Sequence, residues 1–186
     1  MSFKPNNLKL AVAAAGMALW VSSAVWAEDS RLDRLMGNLL QSTPENAHLI
    51  ARDIQLEWEK SGSATADLLL TRGRKALEAN QVQSAIEHFT ALTDHAPDFA
   101  EGWVGRASAF AHAEMFGMAL DDLETALHLN PRHFEAIIGL GAILELIEWP
   151  KDAFEAYELV RSIHPHHPAV TEALERLEPV VKGRNL

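Results

Sequence analysis

Hydrophobic residues between positions 66 and 166 recur at every third or fourth place within short segments, and polar or proline-containing breaks separate the segments. That spacing places the apolar side chains on one face of an α-helix. The segments come in pairs with only two or three residues between partners, which predicts antiparallel helix hairpins. The predicted helices are 66–80 and 83–95, 98–113 and 117–130, and 132–147 and 151–164.

Three prolines give this pattern a fixed period. Pro97, Pro131 and Pro165 are each 34 residues apart, and each follows the second helix of a pair, which it ends. Helices of this length are marginal alone in water, so successive hairpins must stack to be stable. The prediction is an all-α solenoid of stacked antiparallel helix hairpins. Its three units lie in phase over 66–166, as 66–99, 100–133 and 134–167.

Residues 28–63 and 168–182 flank the three units and differ from them. The segment 31–40 carries a helical apolar stripe, and Ser42-Thr43-Pro44-Glu45 is a helix-start pattern for a second helix that ends near Lys60. We expect this degenerate N-terminal helical hairpin to pack on the front of the array. Apolar and acidic residues separate onto opposite sides of 168–182, which predicts a C-terminal cap helix with a solvated outer face.

The first 27 residues have a composition of their own. Lys4 and Lys9 precede an apolar run, and Val25-Trp26-Ala27 places small residues where a signal peptidase reads. This predicts a secretory signal peptide, 1–27, cleaved after Ala27, and a protein that is exported or periplasmic in a Gram-negative bacterium. The alternative is an uncleaved N-terminal membrane anchor, because the apolar stretch reaches the lower limit of a membrane span. After cleavage we expect no stable membrane span.

Small and large residues recur at fixed places of the period. The eighth and twentieth places are always Gly or Ala, which lets paired helices approach closely, and larger residues fill the space between hairpins. With three copies in phase, the chain resembles a tetratricopeptide repeat (TPR) protein, which implies a right-handed α-solenoid. The residues that carry the resemblance are Gly73, Ala85, Phe89, Pro97, Trp103, Ala107, Ala119, Pro131, Gly141, Ala153, Tyr157 and Pro165.

The resemblance implies a concave groove that binds a partner peptide or helix and is lined by the first helix of each hairpin. Some family members grip a C-terminal carboxylate there with Lys and Asn, but in this chain only Arg74 is basic among the projected places. A mixed, acidic lining would suit a basic or amphipathic helical segment; the alternative is that these are solvated faces. The projected residues are Asp67, Leu70, Arg74, Glu78, Glu101, Val104, Ser108, His112, Glu135, Ile138, Ala142 and Glu145.

Arginine departs from the family pattern at the seventh place of the first two units, where Leu is usual. Buried arginines need partners. Asp122, sixteen residues after Arg106, predicts an ion pair within the second hairpin, and Glu87 or His88 holds the equivalent place for Arg72. The alternative is that the arginines grip a ligand.

Six of the nine histidines fall where one hairpin joins the next, which predicts a histidine-rich edge. We interpret them as surface turn residues. A metal site at His164-Pro165-His166-His167 is the alternative, although proline and the lack of a fourth ligand at a clear spacing speak against a preset geometry. The six are His95, His128, His133, His164, His166 and His167.

The net charge of the chain and the absence of catalytic motifs from its sequence limit the functions that it could have. The chain has 26 acidic and 16 basic residues, a net charge of −10, which disfavours nucleic acid and anionic membranes as partners. It has no cysteine, and no nucleophile elbow, zinc-protease or phosphate-loop motif. The prediction is a non-catalytic scaffold or adaptor in the bacterial envelope, without cofactor or metal, that binds a protein or peptide partner. The alternatives are a self-associating structural solenoid and a weak metal-binding protein, and the oligomeric state is left open.

Overall fold

The computed structural model describes residues 31–183, which form nine α-helices and, within that range, no strand. The predicted signal peptide lies outside the described residues. No helix within 31–183 is long and apolar enough to cross a membrane. The helices are α1 (Arg31–Leu40), α2 (Ala47–Trp58), α3 (Ala64–Glu78), α4 (Val82–His95), α5 (Ala100–His112), α6 (Phe116–Leu129), α7 (Phe134–Leu146), α8 (Pro150–Ile163) and α9 (Pro168–Val181).

Three hairpins, α3–α4, α5–α6 and α7–α8, stack in chain order. Each second helix packs against the first helix of the next unit, and α8 packs against α9. The prolines at 97, 131 and 165 lie in the turns just after α4, α6 and α8, so the second helices end where the period predicts. The all-α solenoid prediction is confirmed.

The array has two edges, which we name by their turns. The turn edge contains the tight turns inside each hairpin, near residues 79–81, 113–115 and 147–149. There Asn80, Glu114 and Glu148 have φ values of 56°, 58° and 63°, the left-handed conformation that reverses the chain. The junction edge contains the turns between hairpins, near residues 96–99, 130–133 and 164–167.

Aromatic rings fill the space that glycines leave on the first helices. A Cβ atom on Gly73 would lie 2.6 Å from the ring of Phe89, and one on Gly105 would lie 2.3 Å from the same ring. Gly141 stands in the same relation to Tyr157, at 2.7 Å. The glycines at the eighth place, Gly73 and Gly141, therefore leave room for the aromatic ring of the second helix in the same hairpin. The ring of Phe89 also occupies space next to Gly105, on the first helix of the following hairpin.

The N-terminal hairpin, α1–α2, does not pack on the front of the array, and that prediction is wrong. Its buried residues Leu39, Ile54 and Trp58 join one hydrophobic cluster with residues of α7, α8 and α9. The hairpin runs along the junction edge and covers the third unit and the cap. The helix start was also placed too early, because α2 begins at Ala47 with Asn46 as its N-cap.

The cap helix α9 packs on α8 and closes the C-terminal end of the array. His167 is its N-cap, and Nδ1 of that ring accepts a hydrogen bond from the Val170 N–H over 3.4 Å. Its buried face consists of Val170, Ala173, Leu174 and Leu177, packed into the cluster shared with α8. Its acidic residues are exposed, as a terminal element in contact with water requires.

Candidate functional site

Two adjoining cavities lie along the first helices of the second and third hairpins and the cap. One, of about 340 Å³, lies between α5 and α7, and the other, of about 600 Å³, lies between α7 and α9. They share Ile138, Ala142 and Leu146 of α7, so we treat them as one surface and call it the groove. Its remaining lining includes Val104, Ala107, Ser108, Ala111, His112, Glu135, Glu145, Val170, Ala173 and Arg176.

The structure brings together only part of the projected groove. Every projected residue of α5 and α7 lines the cavities except Glu101. The four residues projected on α3 do not: Leu70 is buried in the core of the first unit, Asp67 and Glu78 are exposed away from the cavities, and Arg74 is held in ion pairs. The groove is therefore a feature of the second and third units and the cap.

Arg74 is part of a polar network on the junction side rather than a free cation. Its guanidinium lies 2.6 Å from a carboxylate oxygen of Glu59 and 2.8 Å from one of Glu101. Glu101 is buried, and its other oxygen lies 3.0 Å from Nε2 of His133. The Ala136 N–H donates to Nδ1 of the same imidazole, so Nε2 carries the proton and donates to Glu101. This network links α2, α3, α5 and α7.

Glu145 is also occupied. It accepts two hydrogen bonds from Arg176 of the cap helix, at 2.7 and 3.2 Å, and one from the Tyr157 hydroxyl at 2.8 Å. Burial, together with the hydrogen bond to the Glu145 carboxylate, raises the pKa of the Tyr157 phenol. Glu145 thus holds α7, α8 and α9 together at the edge of the groove.

Gln55 donates a hydrogen bond of 2.9 Å to Glu135, which lies at the junction end of the groove. Because Glu135 and Glu145 both have partners within the protein, little of the predicted acidic character of the groove remains unpaired. Its floor is formed by Val104, Ile138 and Ala142 among other apolar or small side chains. The expectation of a mixed acidic lining therefore overstates its polarity, because the partners of these charged residues come from elements distant in sequence.

The two seventh-place arginines differ. Arg106 forms the predicted pair with Asp122, with Nε and Nη2 at 2.7 and 2.8 Å from the two carboxylate oxygens, and Nη1 donates to Thr93. The hydrogen bond to Asp122 raises the pKa of Arg106. Its guanidinium also lies 4.8 Å from the ring centroid of Trp103. Arg72 is exposed, so the prediction that it points inward toward Glu87 or His88 is wrong.

Two junction histidines are buried under the N-terminal hairpin, which corrects their interpretation as surface residues. The His133 ring stacks on Trp58, with centroids 4.2 Å apart. His164 packs edge-on against Phe134 and His167, and its Nδ1 atom is buried without a hydrogen-bond partner. Burial lowers the pKa of His164 to about 4, with His167 contributing. Among residues 31–183 no group of three His, Asp or Glu side chains is placed to hold a metal ion.

Sequence comparison identifies the architecture. A TPR repeat-containing protein of Rhizobium etli is 32% identical over 154 residues, which cover 82% of this chain and 76% of that protein. The tetratricopeptide repeat profile matches residues 70–116. The chain belongs to the tetratricopeptide repeat family.

Several solved structures share its fold, and a further relative shares part of its sequence. The first TPR domain of Spaghetti (RPAP3), solved with a bound HSP90 peptide, aligns at a TM-score of 0.62 with 25% identity, over 65% of this chain and 96% of that chain. MamA protein aligns at a TM-score of 0.58 with 20% identity, over 82% of this chain and 80% of that chain. A small glutamine-rich tetratricopeptide repeat-containing protein of Saccharomyces cerevisiae is 29% identical over 113 residues, and the match spans 32% of that relative.

Leu146 is one of the groove residues outside the projected set, which also omits the lining residues of the cap helix. It lines both cavities and is 65% exposed. The sequence alone does not distinguish it from the core residues of α7, because that helix is apolar on nearly every side. The available sequence signal was a leucine near the end of a predicted helix with a tryptophan, Trp149, three residues later in the turn.

Proposed function

We propose that this tetratricopeptide repeat protein is a non-catalytic scaffold that binds a partner peptide or helix in the groove. The observation that carries the proposal is the continuous, largely apolar surface between α5, α7 and α9, whose residues are accessible although they lie on the first helices of a packed array. A concave apolar surface with few polar groups is the usual form of a binding site. The peptide complex of the RPAP3 domain supports the same use of the fold.

A photo-crosslinking amino acid placed in the groove tests this function in cells. At Ser108 or Ala142, which line the groove, we expect a crosslink to a partner protein. The matched control is Leu159, which is 50% exposed on α8 and lines neither cavity. Equal crosslinking from all three positions, or from none, would contradict groove binding, and a crosslink to a second copy of the chain would favour self-association.

Charge reversal at Arg74 or Glu145 is not a clean test of binding. Glu in place of Arg74 would add a third carboxylate beside Glu59 and Glu101, and Lys in place of Glu145 would repel Arg176. Both changes would destabilise the array, and only Glu145 lines the groove. Side chains that line the groove without structural partners are the better choice.

The proposed location is the periplasm, with residues 1–27 removed. The support is the basic, apolar and small-residue order of the first 27 positions. The test is the N-terminal sequence of the protein recovered from cells, which we expect to begin at Glu28 in the periplasmic fraction. Recovery with an intact leader in the membrane fraction would instead support the uncleaved anchor.

A further inference from the structure

Large apolar side chains lie exposed on the turn edge beside the groove and are not part of the hydrophobic core. Leu146 is 65% exposed and Trp149, three residues later, is 56% exposed. Met115, 42% exposed, holds the place equivalent to Trp149, since each is the N-cap of a second helix. The first hairpin has polar Gln81 in that place. The apolar edge therefore accompanies the groove along the second and third units, and such surfaces mark interaction sites.

Carboxylates border this apolar edge. Glu114 and Glu148 are exposed and directly precede the apolar N-cap residues. Glu172, also exposed, lines the second cavity near the start of α9, at the junction end of the groove. The nearby cations are fewer: Lys151 is exposed at the start of α8, while Arg176 is bound to a carboxylate of α7. An apolar surface with an acidic border is complementary to an apolar surface with a basic border.

The opposite end of the groove is closed. Gln55 of α2 is hydrogen-bonded to Glu135, and Trp58 packs on the first residues of α7. A ligand therefore reaches the groove from its open face and the turn edge. The groove follows α7, whose 13 residues correspond to a length of about 20 Å at a rise of about 1.5 Å per residue. A partner segment of three to four helical turns matches this length.

The apolar floor favours a helix over an extended peptide. An extended segment brings unpaired backbone N–H and C=O groups, which need hydrogen-bond partners when they are buried. Val104, Ile138 and Ala142 offer none from their side chains, and their backbone groups are committed to α5 and α7. A helix satisfies its own backbone and presents only side chains to such a surface.

We propose that the groove binds an amphipathic α-helix of a partner protein. The apolar face of this helix lies on the groove floor and against Leu146 and Trp149. Its Lys or Arg side chains meet the carboxylates of Glu114 and Glu148 on the turn edge and that of Glu172 at the junction end. The inference rests on the proposed scaffold function and specifies the chemistry of its partner.

Two synthetic 18-residue helical peptides test the inference by calorimetry with the purified protein. They share an apolar face of Leu and Ala and differ only on the polar face, which carries Lys in one and Glu in the other. We expect the Lys peptide to bind at least about tenfold more tightly, because two or three surface charge pairs contribute about that factor. We expect Leu146→Asp to weaken its binding by at least about tenfold, and Leu159→Asp, on α8, to leave it unchanged.

The double variant Glu114→Lys/Glu148→Lys separates charge from shape. Both side chains are exposed, so the fold should tolerate the change, and we expect the preference to shift from the Lys peptide to the Glu peptide. Equal affinity for both peptides, or a preference that the double variant leaves unchanged, would overturn the inference. Failure of both peptides to bind, with partner crosslinks at Ser108 intact, would overturn the helix proposal and leave the scaffold function standing. If the crosslinks at Ser108 were absent as well, both the helix proposal and the scaffold function would be overturned.

Discussion

Individual residues with buried charge have structural roles here. Asp122 is 5% exposed and neutralises Arg106 through two hydrogen bonds, while Thr93 and the Trp103 ring cover the rest of the guanidinium. Nε, Nη1 and Nη2 each donate a hydrogen bond within the protein, so the head group of Arg106 is engaged in a structural contact rather than open to a ligand. The residue is part of the packing of α5 against α6.

Replacing Asp122 with Ala should lower the free energy of unfolding by about 2–4 kcal/mol, because the change leaves the largely buried Arg106 without its counter-ion. Chemical denaturation measures the loss. The control is Asp121→Ala, since the exposed Asp121 side chain lies one residue away, and it should change stability by less than about 0.5 kcal/mol. Equal stability of the two variants would refute the structural role of the pair.

His164 makes the stability depend on pH. Its pKa is about 4 in the folded chain against 6.5 for the free side chain, so the unfolded chain binds more protons between these values. The contribution is complete above about pH 6.5 and is lost as the pH falls toward 4. We expect His164→Leu to flatten the stability profile in this window relative to the wild type, by up to about 1.4 kcal/mol per pH unit. Parallel profiles would show that the imidazole does not titrate in this way.

At the scale of the helix pair, glycine placement decides how closely helices approach. Gly141 and Gly139 lie on the same helix, two residues apart, yet they face different surroundings. A Cβ on Gly141 would lie 2.7 Å from the Tyr157 ring, whereas one on Gly139 would lie 3.6 Å from Leu123, an ordinary contact. The same substitution therefore has opposite consequences at the two positions.

Gly141→Ala should cost about 1–3 kcal/mol through overpacking against Tyr157. Gly139→Ala should be neutral or should stabilise the protein by up to about 1 kcal/mol, because alanine is the better helix former. Thermal unfolding of both variants measures the difference. If both substitutions stabilise the protein, the ring of Tyr157 can move aside and the close approach is not a constraint.

At the scale of the whole molecule, the N-terminal hairpin turns a nearest-neighbour array into a more connected structure. In a solenoid each unit contacts only its neighbours. Here α2 and its C-cap contact the first unit through the Glu59–Arg74 pair and the third through Trp58 and Gln55. The hairpin therefore spans the second unit and links the first helices of the first and third units, α3 and α7.

Trp58→Ala should detach this hairpin, with a loss of about 3–5 kcal/mol, since it removes the aromatic ring that packs on His133 and Phe134. Hydrogen exchange should become faster in α1–α2 and around residues 130–136 and 164–170. Leu56→Ala is the matched control, because Leu56 lies on the same helix and is 52% exposed. Unchanged protection of α1–α2 in the Trp58 variant would contradict the bridging role.

The sequence by itself determined the repeats. The 34-residue period predicts the three hairpins, and the separation of apolar from acidic residues over 168–182 predicts the cap. The Arg106–Asp122 pair was also predictable, because both residues lie within one unit. The resemblance to the tetratricopeptide repeat family, projected onto the chain with this period, also predicts most groove residues of α5 and α7.

Only the tertiary structure decided where the N-terminal hairpin lies and which charges remain free. Gln55 and Glu135 are 80 residues apart, and Asp33 and Arg132 are 99 apart, so no period relates them. Trp58 of the same hairpin stacks on His133, Glu59 pairs with Arg74, and Arg176 of the cap pairs with Glu145. The charge that the groove offers to a ligand therefore depends on pairs such as Gln55–Glu135 and Glu145–Arg176. A charged side chain is available to a ligand only when no residue of its own chain is bound to it.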